Sequence, residues 1–338
     1  MSLPTGVASF RGMDISCAFA TSPATPDHIA LAESLGYRRA WCYDSPALYP
    51  DVWVALALAA ERTSRIELGP AVLVPSLRHP MTNAAAIATL ALLAPGRLNV
   101  AVGAGFTGRY VLGQKPMRWA DVAAYVRVLR ALLRGEEAEW EGSVIRMIHP
   151  AGFAPDRPIE VPILIASDGP KGAAVAAELG DGLFLAGRFD VPSPRPDWVA
   201  RLTFGTVLDD GESPSAPRVV EAAGHGAAVV YHALYERGVG ALDGMPGGAT
   251  WRAAVEAVPA ATRHLAIHEG HLVAPNERDR VALAEAPGFV ESFSFTGPAA
   301  ALRERLDQMA ESGITEVAYQ PAGPDIPREL EAFARLRD

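Results

Sequence analysis

The sequence predicts an α/β fold, a single (β/α)8 TIM barrel with insertions. Three observations lead there. Eight short strand-like runs alternate with helical patterns along the chain. No linker-like stretch, low-complexity segment or obvious internal repeat divides the 338 residues. The surplus length falls in two places, 136–160 and 239–295, which read as insertions on one barrel domain spanning 1–338. A doubly wound sheet with a cap is the competing arrangement.

The first strand is MDISCAFA (13–20), and PDHIALAESLGYRR (26–39) follows as a helix with Ile29, Ala32 and Leu35 on one face and Gly36 as its stop. AWCYD (40–44) is the second strand, and residues 51–64 form a helix with an apolar stripe. RIELGPAVLVP (65–75) is the third strand, where Gly-Pro marks a distortion. A helix over 80–94 leads to the fourth strand, RLNVAVGAG (97–105). Residues 121–135 make an amphipathic helix ending at Gly135, and 136–147 read as a hairpin turning at Glu141-Gly142. Strand–helix–strand then recurs at 161–167, 171–180 and 182–187. RLTFGTVL (201–208) is the seventh strand, and 216–238 is helical with a break expected near Gly224–Gly226. After the less regular 239–295 come a helix (297–313), the eighth strand ITEVAYQP (314–321) and a short terminal helix (327–337).

Bulk properties narrow the function. Hydrophobic residues are 49% of the chain, enough for a substantial core, and the net charge is -9. That balance argues against nonspecific binding to nucleic acid or to an anionic membrane. Cys17 and Cys42 lie in apolar runs and read as two buried thiols, which suits a reducing compartment. The N-terminus has no long apolar segment, and charge or proline interrupts every apolar stretch short of a membrane span. A cytoplasmic protein acting on a small molecule is expected.

Residues 101–110, VAVGAGFTGR, contain G-x-G-x-x-G at Gly103, Gly105 and Gly108. A dinucleotide fingerprint belongs in the first strand–helix turn, with its third glycine inside a helix. Here it follows the fourth strand, and the chain runs on through Gly113 and Pro116 to a helix starting near Trp119. Asp121 is an acid near the right distance, but it opens a helix instead of ending a strand. The better reading is a glycine-rich turn at the mouth of a barrel strand, either admitting a flat ring close to the backbone or simply turning tightly.

Taken together, AESLGYRRAWCYDS, ALAAERTSRIELGPAVLVPSLRHP, APGRLNVAVGAG, VPILIASDGPK with AAELGDG, and GPAAALRERLDQMAESGITEVAYQP resemble the luciferase-like monooxygenase superfamily. The likeness is strongest to its coenzyme F420-dependent branch, which includes methylenetetrahydromethanopterin reductase. The resemblance implies a (β/α)8 barrel, F420 as cofactor (FMN in the sister branch), hydride transfer at the deazaflavin C5, and a homodimer. It places Asp44 and Ser45 as catalytic residues facing cofactor or substrate, with Ser45 standing where the family often has histidine. It makes Tyr49 a pocket aromatic. It puts a non-proline cis peptide at Ala71-Val72, behind the ring; the plain alternative is a bulge beside Pro70. It sets Ala104 and Gly105 at the cofactor. Phe106 occupies the position that is a catalytic acid in the sugar-phosphate dehydrogenases, which argues for a more apolar substrate. Arg109, or Tyr110, is a further pocket candidate.

Ser167, Asp168, Gly169, Pro170 and Lys171 follow the fifth strand and open a helix. Free N–H groups and the positive helix end favour an anion there, and Lys171 adds charge. Gly187 and Arg188, after the sixth strand, offer a second cation. The resemblance makes this the anchor for the phosphodiester and polyglutamate tail of F420. Arg78-His79-Pro80 reads as structural, with Pro80 in the first helical turn and His79 bonding a loop backbone.

His264, His268 and His271 are spaced like metal ligands, but spacing does not show convergence, and no metal is expected. One of them entering the substrate pocket is an alternative. His225 and His232 read as surface or satisfied residues on a helix. MPGGATW (245–251) reads as a lid or a plain loop. Two other functions remain open, an FMN-dependent monooxygenase and a non-catalytic flavin-binding barrel.

Overall fold

The computed structural model describes residues 9–10, 12–187 and 190–337. Its strands are β1 (Met13–Phe19), β2 (Arg39–Cys42), β3 (Glu67–Leu73), β4 (Val100–Gly103), β5 (Ile163–Ala166), β6 (Gly182–Leu185), β7 (Val199–Phe204) and β8 (Glu316–Gln320). Each runs parallel to its neighbour, and β8 pairs with β1, so the sheet closes. This is the expected (β/α)8 barrel, not the open sheet.

Strand alternation sorts the side chains. On β1, Ile15, Cys17 and Phe19 join the core beneath the helices, while Ala18 points inside the barrel. The interior combines small residues (Ala18, Ala71, Ala101, Ala200, Ala318) with the bulk of Trp41, Leu164 and Phe184. Trp41 and Phe184 meet edge to face at 5.5 Å. Cys17 and Cys42 are free and buried on the helix side.

The helix ends follow local chemistry. Asp51 caps Val52–Arg62 by accepting from the amides of Trp53 and Val54. His79 Nδ1 accepts from the Met81 amide at the start of Pro80–Leu93. Gly135, with φ of 82°, terminates Trp119–Arg134. The hairpin forms as expected, with Ala138–Trp140 against Ser143–Ile145 and the turn at Glu141-Gly142.

Three expectations change. The seventh strand ends at Phe204 instead of running to 208. Gly205 lies so close to Phe295 that a Cβ would meet the Phe295 carbonyl at 2.1 Å. The chain leaves the barrel there, and Val207–Leu208 pairs with Gly297–Pro298 instead. Helix Pro217–Arg237 is unbroken. Gly224 and Gly226 are there for close packing, since Cβ atoms would meet Pro275 at 3.0 Å and Phe204 at 2.4 Å. Finally, 245–251 is not a loose loop. Gly248 opens a helix ending at Glu256, and Trp251 is fully buried in a second core shared with Val219, Tyr231, Leu283 and Phe289. Helices Gly248–Glu256, Arg263–His268, Glu277–Ala284 and Phe289–Phe293 turn the insertion into a cap.

At the amino ends of the strands, Arg39 closes the barrel floor. Its Nη1 donates to Glu316 (2.7 Å) and Asp14 (3.1 Å), and its Nε to Glu67 (2.6 Å). The guanidinium stacks 4.3 Å from the Trp198 ring centroid. Fully buried Glu316 also accepts from the indoles of Trp41 (2.8 Å) and Trp198 (2.7 Å). Removing one partner of such a buried pair strands the other charge. Glu316→Leu is therefore expected to lower stability by about 3–5 kcal/mol in urea unfolding; a loss below about 1 kcal/mol, the range of surface pairs, would show that the floor does not depend on it.

Candidate active site

At the carboxyl ends of the strands, where barrel sites are built, a cavity of about 580 Å³ opens. Its floor is apolar, formed by Ala71, Val72, Ala166, Phe184 and Leu202. The peptide bond between Ala71 and Val72 is cis, and the register with β4 shifts between Ala71 and Leu73, so the cis bond and the bulge coincide.

One wall follows β2. Asp44 is buried, and its carboxylate accepts a short hydrogen bond from Arg78 Nη1. Arg78 Nη2 reaches Asp51 at 2.7 Å. Asp44 therefore caps no helix; that role belongs to Asp51. Arg78, read from sequence as structural, is the counter-ion of a cavity-lining acid. Burial pushes the Asp44 carboxyl above its ordinary value, and the neighbouring guanidinium only partly opposes the rise. Ser45 lines the cavity half-buried. Tyr49 lines it too, tilted against Tyr43 at 6.3 Å, with its hydroxyl donating to the His271 carbonyl.

The opposite wall is the turn after β4. Ala104, Gly105 and Phe106 line the cavity. Gly105 has φ of 80°, and a Cβ there would meet Val74 at 2.5 Å. Thr107 opens a single helical turn, and its hydroxyl lies 2.9 Å from His271 Nε2. Arg109 does not line the cavity. Its guanidinium donates to the Lys115 carbonyl (2.6 Å) and to Ser76, bracing the loop from outside.

The third wall follows β5. Ser167, Asp168, Gly169, Pro170 and Lys171 all line the cavity, with Lys171 exposed in the first turn of helix Pro170–Leu179. Gly172 lets this turn sit tightly, since a Cβ would meet Ser167 Oγ at 2.1 Å and Trp119 at 2.4 Å. Asp168 is directed elsewhere, accepting from the amides of Ala186 (3.0 Å) and Gly187 (2.8 Å). Gly187 thus contacts the site through Asp168, and Arg188 lies outside the described residues.

Sequence reasoning missed several lining residues. Met117 and Trp119 enter from the segment after β4, Arg237 from a helix end, and Leu272 from the cap. Only tertiary placement reveals them. Of the clustered histidines, His271 reaches the cavity and His264 faces Gly113. His225 and His232 are not at the surface; both are buried. Neither ring nitrogen of His225 has a hydrogen-bond partner among the described residues, and burial lowers its pKa to about 4, so it is neutral. Burial likewise holds His271 well below the usual imidazole range.

The family model described as luciferase-like monooxygenase matches residues 15–316. A 5,10-methylenetetrahydromethanopterin reductase of Archaeoglobus fulgidus is 26% identical over 336 residues, covering 91% of this chain and 92% of its own. An F420-dependent glucose-6-phosphate dehydrogenase of Mycobacterium avium is 37% identical over 175 residues, covering 49% of this chain and 52% of its own. Among solved structures, the coenzyme F420 dependent tetrahydromethanopterin reductase from Methanopyrus kandleri superposes with a TM-score of 0.63 at 20% identity, over 97% of this chain and 98% of that one. That likeness shows the shared fold.

The Asp44–Arg78 pair makes a direct prediction. Carboxyl-region NMR should find Asp44 titrating above about pH 4, the ordinary carboxylate range. Arg78→Met should move it higher still, because the guanidinium that opposes the rise is removed while the burial stays. A midpoint at or below the ordinary range, or no response to Arg78→Met, would rule out this account of the wall.

Proposed function

The chain belongs to the luciferase-like monooxygenase family, and from that premise we propose that it is an oxidoreductase using coenzyme F420 on a small, largely apolar organic substrate. The observation that carries the reading is the cavity itself: an apolar floor at the strand mouths, closed by glycine turns, with a helix start and Lys171 at its edge. The names of the relatives supply the cofactor.

The residues fit such a group. Gly103, Gly105 and Gly172 let the segments around the cavity pack tightly, since Cβ atoms there would press on Val72, Val74 and Ser167, and the room this leaves is the cavity. The first-turn amides after Pro170 have no partner within their helix and point to an anion site. F420, when bound, supplies hydride chemistry at C5. The chain's own part would be positioning: Ala71-Val72 would lie behind the ring, Lys171 would neutralise the tail, and Asp44, held by Arg78, would stand with Ser45 at the reacting end. The substrate class follows from the acids. Asp44 is committed to Arg78, and Asp168 to the amides of Ala186 and Gly187. Phe106 lines the wall at the position where the resemblance puts a catalytic acid in the sugar-phosphate dehydrogenases.

We also propose a homodimer. Val54 and Leu58, four residues apart on helix Val52–Arg62, and Leu92 and Leu93 on the adjacent helix Pro80–Leu93 are exposed apolar side chains that a second copy would cover. Leu58→Glu should convert the protein to a monomer in light scattering; a wild-type monomer would refute the assembly.

Titration of the purified protein with F420 and separately with FMN, followed by tryptophan quenching, tests the cofactor. Tight F420 and weak FMN binding is expected. The reverse preference would make the protein an FMN-dependent monooxygenase, and F420 binding without turnover on any acceptor would make it a non-catalytic barrel. Lys171→Ala should weaken F420 binding about two- to fivefold at low salt, with the difference fading as salt rises. An unchanged affinity and salt response would remove the anchor role.

A further inference from the structure

Behind the cavity wall, three imidazoles converge. His232 lies on helix Pro217–Arg237, His268 ends helix Arg263–His268, and His271 follows one loop later. They are 2%, 0% and 4% exposed. One ring nitrogen from each lies within 4.8 Å of the others, and the ring centroids are 5.2–5.8 Å apart. His232 Nδ1 and His271 Nδ1 are separated by 3.1 Å. Two imidazole nitrogens bound to one tetrahedral metal at about 2.0–2.1 Å stand about 3.3 Å apart.

The outer edges of the rings are held as ligands usually are. His232 Nε2 faces Asp279 Oδ1 at 3.1 Å, and that oxygen is itself fixed by the Trp251 indole at 2.8 Å. His271 Nε2 faces the Thr107 hydroxyl at 2.9 Å. A carboxylate or hydroxyl behind a ligating imidazole fixes its tautomer and leaves the other nitrogen for the metal. A hydrogen-bonded chain from Asp279 through His232 and His271 to Thr107 would account for two of the rings without any metal. It leaves His268 unexplained. That ring is fully buried, neither nitrogen has a hydrogen-bond partner among the described residues, and its ion-pair contact with a Glu236 carboxylate oxygen, 3.8 Å from Nε2, is longer than a hydrogen bond. A buried polar ring without a partner is costly, and a metal would satisfy it.

We propose that His232, His268 and His271 form a three-histidine site for a divalent transition metal. Three neutral nitrogen donors without sulfur or carboxylate suit zinc, with cobalt as a spectroscopic substitute, and three protein ligands leave a fourth position for water. His271 also lines the cavity, so the metal would pin two cap segments to each other directly behind the pocket wall. The proposal does not depend on the cofactor assignment.

The test uses the full chain stripped of metal with a chelator. Addition of Co2+ should produce visible absorption bands saturating at one equivalent per chain, Zn2+ should abolish them, and Zn2+ should raise the Tm. His268→Leu removes only the 3.8 Å contact with Glu236 and gains apolar burial, so its metal-free Tm should match or exceed that of the wild type. Its Zn2+ affinity should fall by more than the roughly 10- to 100-fold that loss of an outer partner costs, with loss of the cobalt bands. A wild-type protein with neither cobalt bands nor a Zn2+-induced Tm rise overturns the site, as does a His268→Leu variant that keeps both.

Discussion

Everything above the barrel floor depends on one guanidinium. A parallel barrel closes only if the first and last strands meet with a fixed stagger. Arg39 on β2 holds Asp14 of β1, Glu67 of β3 and Glu316 of β8 at once, with the Trp198 ring packed on its face. Arg39 and Glu316 are buried, so the bond between them is little screened. The arrangement has a cost, visible at Asp14, whose carboxyl is pushed above its usual value by burial despite Arg39. An apolar plug could fill the same volume, but it would not define which strand stands beside which. Fixing register at the floor fixes which residues emerge at the top.

At the top, the cap is bonded to the barrel instead of resting on it. The Tyr49 hydroxyl donates to the His271 carbonyl, and the Gln320 amide to the Leu272 carbonyl. Gln320 in turn accepts from Tyr43 at 2.9 Å. The cap has its own core around Trp251 and Tyr231, so it meets these bonds as a preformed surface. Pocket shape is therefore set by two cores and a few polar ties between them. Asp44 follows the same logic: Arg78 couples it to Asp51, the cap of the next helix, so the acid's position is inherited from secondary structure.

This division explains what the sequence could disclose. Helix limits at Asp51, Pro80 and Gly135 follow from local chemistry and were legible, as was the hairpin at Glu141-Gly142. The cis bond at Ala71-Val72 was legible only through family resemblance, because no local pattern demands it. The end of β7 was not, because Gly205 yields to a contact with Phe295, far away in the chain. Glycines in helix Pro217–Arg237 suggested a break for the same reason: their cause is a neighbour, not a turn. Arg109, a pocket candidate in the sequence, is instead turned outward by its bonds to the loop it braces. The third ring gathered with His268 and His271 is His232, on a different helix, which the spacing H-x3-H-x2-H could not disclose.

The glycines of VAVGAGFTGR show how one motif can serve two geometries. In a dinucleotide fold such spacing brings a pyrophosphate to a helix start. Here the neighbours are the chain itself. A Cβ at Gly103 would meet Val72 at 3.1 Å, one at Gly105 would meet Val74 at 2.5 Å, and one at Gly108 would meet Ser45 Oγ at 3.2 Å. Each glycine presses the end of β4 or the turn after it onto β3 or the segments that follow β2 and β3. Widening any of them would push Phe106 and Thr107 away from the cavity and from His271. The motif therefore acts by lowering one wall of a barrel mouth onto its neighbours, and the space left over is the cavity.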